Sequence, residues 1–140
     1  MLPAAIVTLA LVGLVISLYF TFAYYGRVKK ARWVPEILCA REGSSCLTVV
    51  QTPYARVFGV PNSLLGIAFY FAVAGWTLAG GIAAARWLIW VLMAASAVAV
   101  VLGFHLIYVL RRLLHTDCPL CYTAHAINAA LLVLLIWLAR

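Results

Sequence analysis

Charge is what this sequence has least of. Of its 140 residues, 10 are Lys or Arg and 3 are Asp or Glu; the charged share is 9% against 68% hydrophobic. That excludes a soluble domain of this length, because a small domain buries only part of the surface it exposes. It also argues against a nucleic-acid partner. Solenoid repeats and low-complexity tracts are missing as well. The first apolar run lacks the basic start of a secretory signal and outlasts a usual signal core, so it reads as a retained helix.

What is present is long apolar runs. A bilayer core is about 30 Å thick and takes roughly 20 apolar residues in helix. Leu2–Gly26, Pro61–Ala85, Trp87–Leu110 and Pro119–Ala139 meet that length. Each must be helical, since lipid satisfies no backbone donors or acceptors. The expectation is an all-α, multi-pass membrane protein: a four-helix bundle filling residues 1–140 as one domain, with helices near 2–26, 61–85, 87–110 and 119–139. Trp33, Trp76, Trp87, Trp90 and Trp137 sit mostly near helix ends, as interfacial anchors do.

The connection from Arg27 to Val60 carries most of the charge and two cysteines, Cys39 and Cys46. In an up-down bundle it shares a membrane side with the third connection, which leads into Cys118 and Cys121. All four cysteines therefore meet on one face. Three chemistries compete for them: a tetrahedral zinc site, two static disulfides, or a relay of exchanging dithiols. Zinc usually wants two close pairs, and only "CPLC" has that spacing. A static bridge suits the Cys39 and Cys46 loop. A bridge across "CPLC" closes too small a ring to stabilise much, and such bridges more often exchange electrons.

In "TDCPLC", Thr116 or Asp117 is the expected helix cap, with Pro119 in the first turn. Cys118 then stands at a helix N-terminus, where the dipole favours a thiolate, although Asp117 opposes it. Cys121, His125 and Asn128 follow on the same face and complete a stripe that descends into the bundle. Polar residues at that depth usually carry function. For Asn128 alone, a plain interhelical hydrogen bond is the preferred reading; for His125, one turn below a thiol, function is. His105 belongs to no such group. The segment "RVFGV" is a candidate for a short interfacial helix over the site.

"CPLCYTAHAIN", "CAREGSSC" and "PYARVFGVPNSLLG" together resemble the vitamin K epoxide reductase family, including its bacterial and archaeal homologues. The resemblance covers most of the chain. It implies a quinone-linked thiol oxidoreductase in which Cys39 and Cys46 are shuttle cysteines and Cys118 and Cys121 the redox centre. It places Asn62 on one quinone oxygen and His125 towards the other, and sets Thr52 where many members carry serine. Asn62 also suits an N-cap. The implied acceptor is a membrane quinone of menaquinone or ubiquinone type. The implied electron donor is a separate thioredoxin-like protein, since the chain ends at Arg140. No metal is expected. The competing class is a non-enzymatic membrane module whose cysteines bind metal or staple loops.

Orientation follows from basic residues in short loops and near helix ends. The cysteine side holds Arg27, Lys29, Lys30, Arg32, Arg41, Arg56, Arg111 and Arg112; the other side holds Arg86 and Arg140. This balance puts the cysteine face in the cytoplasm, opposite to most relatives, whose cysteines face outward.

Overall fold

The computed structural model describes residues 1–25 and 49–140. Among them run α1 (Leu2–Tyr24), a 3-10 turn (Pro53–Ala55), β1 (Arg56–Val57), β2 (Val60–Pro61), α2 (Asn62–Leu78), a second 3-10 turn (Gly81–Ala83), α3 (Arg86–Arg112) and α4 (Pro119–Ala139). Three of these helices, α1, α3 and α4, are long and apolar enough to cross a membrane. The protein is a helical membrane protein.

The second apolar run is not helical to its end. α2 has 17 residues and stops at Leu78, short of the expected Ala85. Gly80 and Gly81 take positive φ, 107° and 57°. That conformation suits glycine and breaks a right-handed helix. The chain then turns back, and Trp76 Nε1 donates to the Ala85 carbonyl at 3.1 Å. At the other end of α3, Arg111 and Arg112 lie in the last turn, where cations suit the dipole.

"RVFGV" is not an interfacial helix. It forms a two-stranded antiparallel hairpin that pairs Arg56 with Pro61 and Val57 with Val60. Phe58 and Gly59 make the turn with φ of 53° and 80°. Two positive φ values are what a tight two-residue hairpin requires. The pairing uses backbone groups that a helix would have claimed.

α1 packs mainly on α2 and α4, and α3 packs on α4, while α2 and α3 scarcely touch. Small residues bring α1 against α2. A β-carbon on Gly13 would stand 2.5 Å from the Tyr70 ring, and one on Gly66 would stand 2.6 Å from Ser17 Oγ. In lipid, where burying apolar surface between helices gains little, such close approach drives association. Thr21 Oγ1 adds a hydrogen bond to Ser63 Oγ at 3.0 Å. Ile6, Ala10, Val73, Leu131 and Leu135 fill the core. Trp87, Trp90, Val98, Val101 and Phe104 on α3 point outward, as lipid-facing residues do.

Candidate active site at the cysteine end of the bundle

α4 begins with Cys118 as its N-cap, in extended conformation, and Pro119 at the first helical position. Proline fits there because its missing N–H has no helical partner to lose. Thr116 and Asp117 do not cap, contrary to expectation. Thr116 Oγ1 donates to the Leu114 carbonyl at 2.9 Å, and Asp117 Oδ1 accepts from the Tyr122 hydroxyl at 2.9 Å. The cap is the cysteine itself: Cys118 Sγ accepts from the backbone N–H of Cys121 at 3.4 Å. The Cys118 thiol is held below its ordinary pKa, first by the hydrogen bond from the Cys121 side chain and further by backbone N–H groups of Cys121 and Leu120, against the opposing effect of burial. Cys118 is fully buried.

Because α2 and α3 scarcely touch, a cavity of about 350 Å³ remains between them. That lies within the usual range for small-molecule sites, about 300–1,000 Å³. Its walls are mostly apolar: Phe20 from α1, Leu65 and Phe69 from α2, and Ala99, Leu102 and Leu106 from α3, among others. Leu65 on α2 and Val98 on α3 belong to the wall and are exposed. The cavity is therefore not sealed where α2 and α3 stand apart.

Four of the residues singled out from sequence line this one cavity: Asn62, Cys121, His125 and Asn128. They come from two helices. Asn62 is the first residue of α2, while Cys121 and His125 descend α4 one turn apart. The helix cap before Asn62 falls on Pro61, which offers no side-chain bond, so the capping role suggested for Asn62 is not used. His125 Nδ1 is buried and has no hydrogen-bond partner among the described residues. It faces Gly103, where a β-carbon would stand 2.6 Å away. Cys118 lies behind Cys121 and does not line the cavity. Cys39 and Cys46 lie outside the described residues.

The described part of the first connection closes the cysteine end. Val49, Val50, Ala55 and Pro61 line the cavity there. Gln51 Nε2 donates to the Tyr24 carbonyl at 3.0 Å, and the Arg56 guanidinium lies over the Tyr24 ring at 5.4 Å. Thr52 turns its hydroxyl to the Val49 carbonyl at 2.7 Å, away from the cavity lining. Asn128 accepts a hydrogen bond from the Tyr70 hydroxyl at 2.6 Å, the interhelical bond preferred for it from sequence. Tyr70 was not singled out in the sequence. Its signal was a tyrosine in the middle of an apolar helix, far from the interfacial ends where tyrosines anchor.

Residues 4–136 match the vitamin K epoxide reductase family. The chain is also similar to the vitamin K epoxide reductase complex subunit 1 of Rattus norvegicus, 29% identical over 140 residues, which cover 90% of this chain and 83% of the rat protein.

Proposed function

Because the chain belongs to the vitamin K epoxide reductase family, we propose that this membrane oxidoreductase makes disulfide bonds at the expense of a membrane quinone. One observation carries the reading: a thiol, an amide and an imidazole line one mostly apolar cavity between α2 and α3. A flat apolar ring with oxygens at its edge suits that lining. Menaquinone and ubiquinone types both have this chemistry.

The residues divide the work as follows. A reduced thioredoxin-like partner gives two electrons to the Cys39–Cys46 disulfide and leaves as a disulfide itself. The Cys46 thiolate then attacks Cys118 of the Cys118–Cys121 disulfide, forming a Cys46–Cys118 bond and releasing Cys121 as a thiolate. Cys39 resolves the mixed disulfide, which restores Cys39–Cys46 and leaves Cys118 and Cys121 reduced. The N-terminal N–H groups of α4 stabilise the Cys118 thiolate. The quinone supplies an acceptor for two electrons and two protons as Cys118 and Cys121 close again. Asn62 and His125 are donors aimed where negative charge develops. The apolar walls exclude water from the thiol.

In this reading residues 1–140 are one domain. α2 with its 3-10 continuation completes a fourth crossing, and the cysteine face lies in the cytoplasm.

The test uses the full chain, purified in detergent. Oxidation of a reduced thioredoxin-like protein should require added quinone. Cys121→Ala should abolish it. Cys39→Ala should impair oxidation of the protein partner yet spare quinone reduction by a small dithiol that reaches Cys118–Cys121 directly. Equal damage to both assays by both variants would overturn the relay order. Stoichiometric zinc on four thiolates would favour the non-enzymatic module.

A further inference from the structure

Asn128 lines the cavity one helical turn below His125, and the relay described above makes no use of it. Its surroundings fix which way its amide points. The Tyr70 hydroxyl is 2.6 Å from Asn128 Oδ1. A phenol buried in an apolar bundle needs an acceptor, and the amide oxygen is that acceptor. Tyr70 is 2% exposed, and its ring lies against Gly13 of α1 and Gly66 of its own helix, where β-carbons would stand 2.5 Å and 3.7 Å away. The ring has no room to swing away. Ser96 Oγ on α3 donates to the Asn128 backbone carbonyl at 3.2 Å. Side chains of α2 and α3 thus bond the side chain and the backbone of this one residue of α4.

With its oxygen committed to Tyr70, Asn128 presents its NH2 group. That nitrogen has no protein partner among the described residues and is not sealed from the cavity. We infer that Asn128 is a third hydrogen-bond donor of the cavity, and that Tyr70 is the positioning residue that keeps its NH2 turned inward. On a helix, residues three apart have β-carbons about 5–6 Å apart. His125 and Asn128 can therefore converge on the same oxygen of a bound ligand, since a carbonyl oxygen accepts two hydrogen bonds. The inference rests on the quinone reading and names a residue pair that it leaves unused. It makes His125 and Asn128 one oxygen-binding end of the cavity, with Asn62 the other.

Two variants separate this role from simple packing. Tyr70→Phe keeps the ring and its fit against Gly13 but removes the hydroxyl. Asn128→Leu keeps the size and removes the amide. The probe is menadione, isotope-labelled at its carbonyls, with binding followed by titration and by difference infrared spectroscopy in detergent. Each variant should weaken binding by roughly three- to tenfold, the effect of one hydrogen bond. In each, one carbonyl band should return to higher frequency while the other stays. A packing role would lower the melting temperature and leave both bands in place, which would overturn the inference. Should Asn128→Leu fail to fold, Tyr70→Phe decides alone. If the unmodified protein binds menadione with a hydrogen-bonded carbonyl band that neither variant moves, only this inference falls. If the unmodified protein binds no menadione, the quinone reading falls and takes the inference with it.

Discussion

Gly103 on α3 lies against the imidazole of His125 on α4: a β-carbon on the glycine would stand 2.6 Å from Nδ1 and 2.9 Å from Cγ. The absence of a side chain at 103 is what gives the ring its place. Gly103→Ala should therefore displace His125 and slow quinone reduction. Overpacking of this kind usually costs about 1–3 kcal/mol of stability. The direct check is a double-mutant cycle by thermal unfolding in detergent. In a His125→Ala background the alanine at 103 meets little, and most of the cost should vanish. An equal cost in both backgrounds would show that the ring is not what the alanine strikes.

Much of this end of the bundle was legible in the sequence, because it depends on local rules. Cys121, His125 and Asn128 share a helical face by spacing alone, and Pro119 marks where that helix starts, whereas Cys118, expected on the same stripe, is its extended cap. The hairpin at Arg56–Pro61 was not legible. Valine, phenylalanine and a glycine next to a long apolar run look amphipathic, and only the paired φ values of Phe58 and Gly59 reveal a turn. The early end of α2 was hidden for a similar reason. Apolar composition continues to Ala85, but two glycines in left-handed conformation end the helix first. The Thr116 and Asp117 caps failed because both side chains found other partners, leaving the cysteine sulfur to cap α4. Tyr70 was hidden because its importance is tertiary: it is defined by Gly13 on one neighbour and Asn128 on another.

Asn62→Ala and His125→Ala should each slow quinone reduction without unfolding the protein. Losing one donor to an oxygen that gains charge typically costs about 3 kcal/mol in the barrier, on the order of a hundredfold in rate. His125→Tyr should be milder, because a phenol also donates. The measurement is steady-state reduction of a soluble quinone by a small dithiol, so that the loop cysteines do not limit the rate. Unchanged rates in both alanine variants would leave Asn62 and His125 as packing residues.

The reduced protein should titrate a thiol at lower pH than a free cysteine does. Hydrogen bonds from Cys121 and from the first N–H groups of α4 hold Cys118 below its ordinary pKa. The sign for stability follows. A folded-state pKa below the unfolded one contributes stability that is fully present above the unfolded value and is lost as pH falls through the folded value. Reduced protein should therefore become less stable on acidification through that window. Protein with the Cys118–Cys121 disulfide closed should not, since it has no thiol there to protonate. Thiolate absorbance in the ultraviolet, followed across pH, locates the midpoint. The low-pH step should disappear in Cys118→Ala; if it persists there unchanged, the thiolate belongs to another cysteine.

The last expectation concerns which compartment receives the new disulfides. Arg56, in the hairpin, lies over Tyr24 at the end of α1, and Arg111 and Arg112 close α3 at the same end as Cys118. Arg86 opens α3 at the opposite end. Arg27, Lys29, Lys30, Arg32 and Arg41 lie outside the described residues but belong to the connection that joins α1 to α2 on the cysteine side. By sequence order alone, that side is assigned eight of the 10 basic residues and the other Arg86 and Arg140. Basic residues in short loops and near helix ends resist translocation, so the cysteine face is expected in the cytoplasm and both termini outside. An enzyme so oriented suits a cell that keeps disulfides in its cytosolic proteins, as some hyperthermophiles do. A reporter fused after Arg140 reads the orientation directly. Activity of a reporter that works only outside the cytoplasm supports the inverted arrangement. Activity of a cytoplasmic reporter at the same place would mean that the charged connection was translocated and that the cysteines face outward.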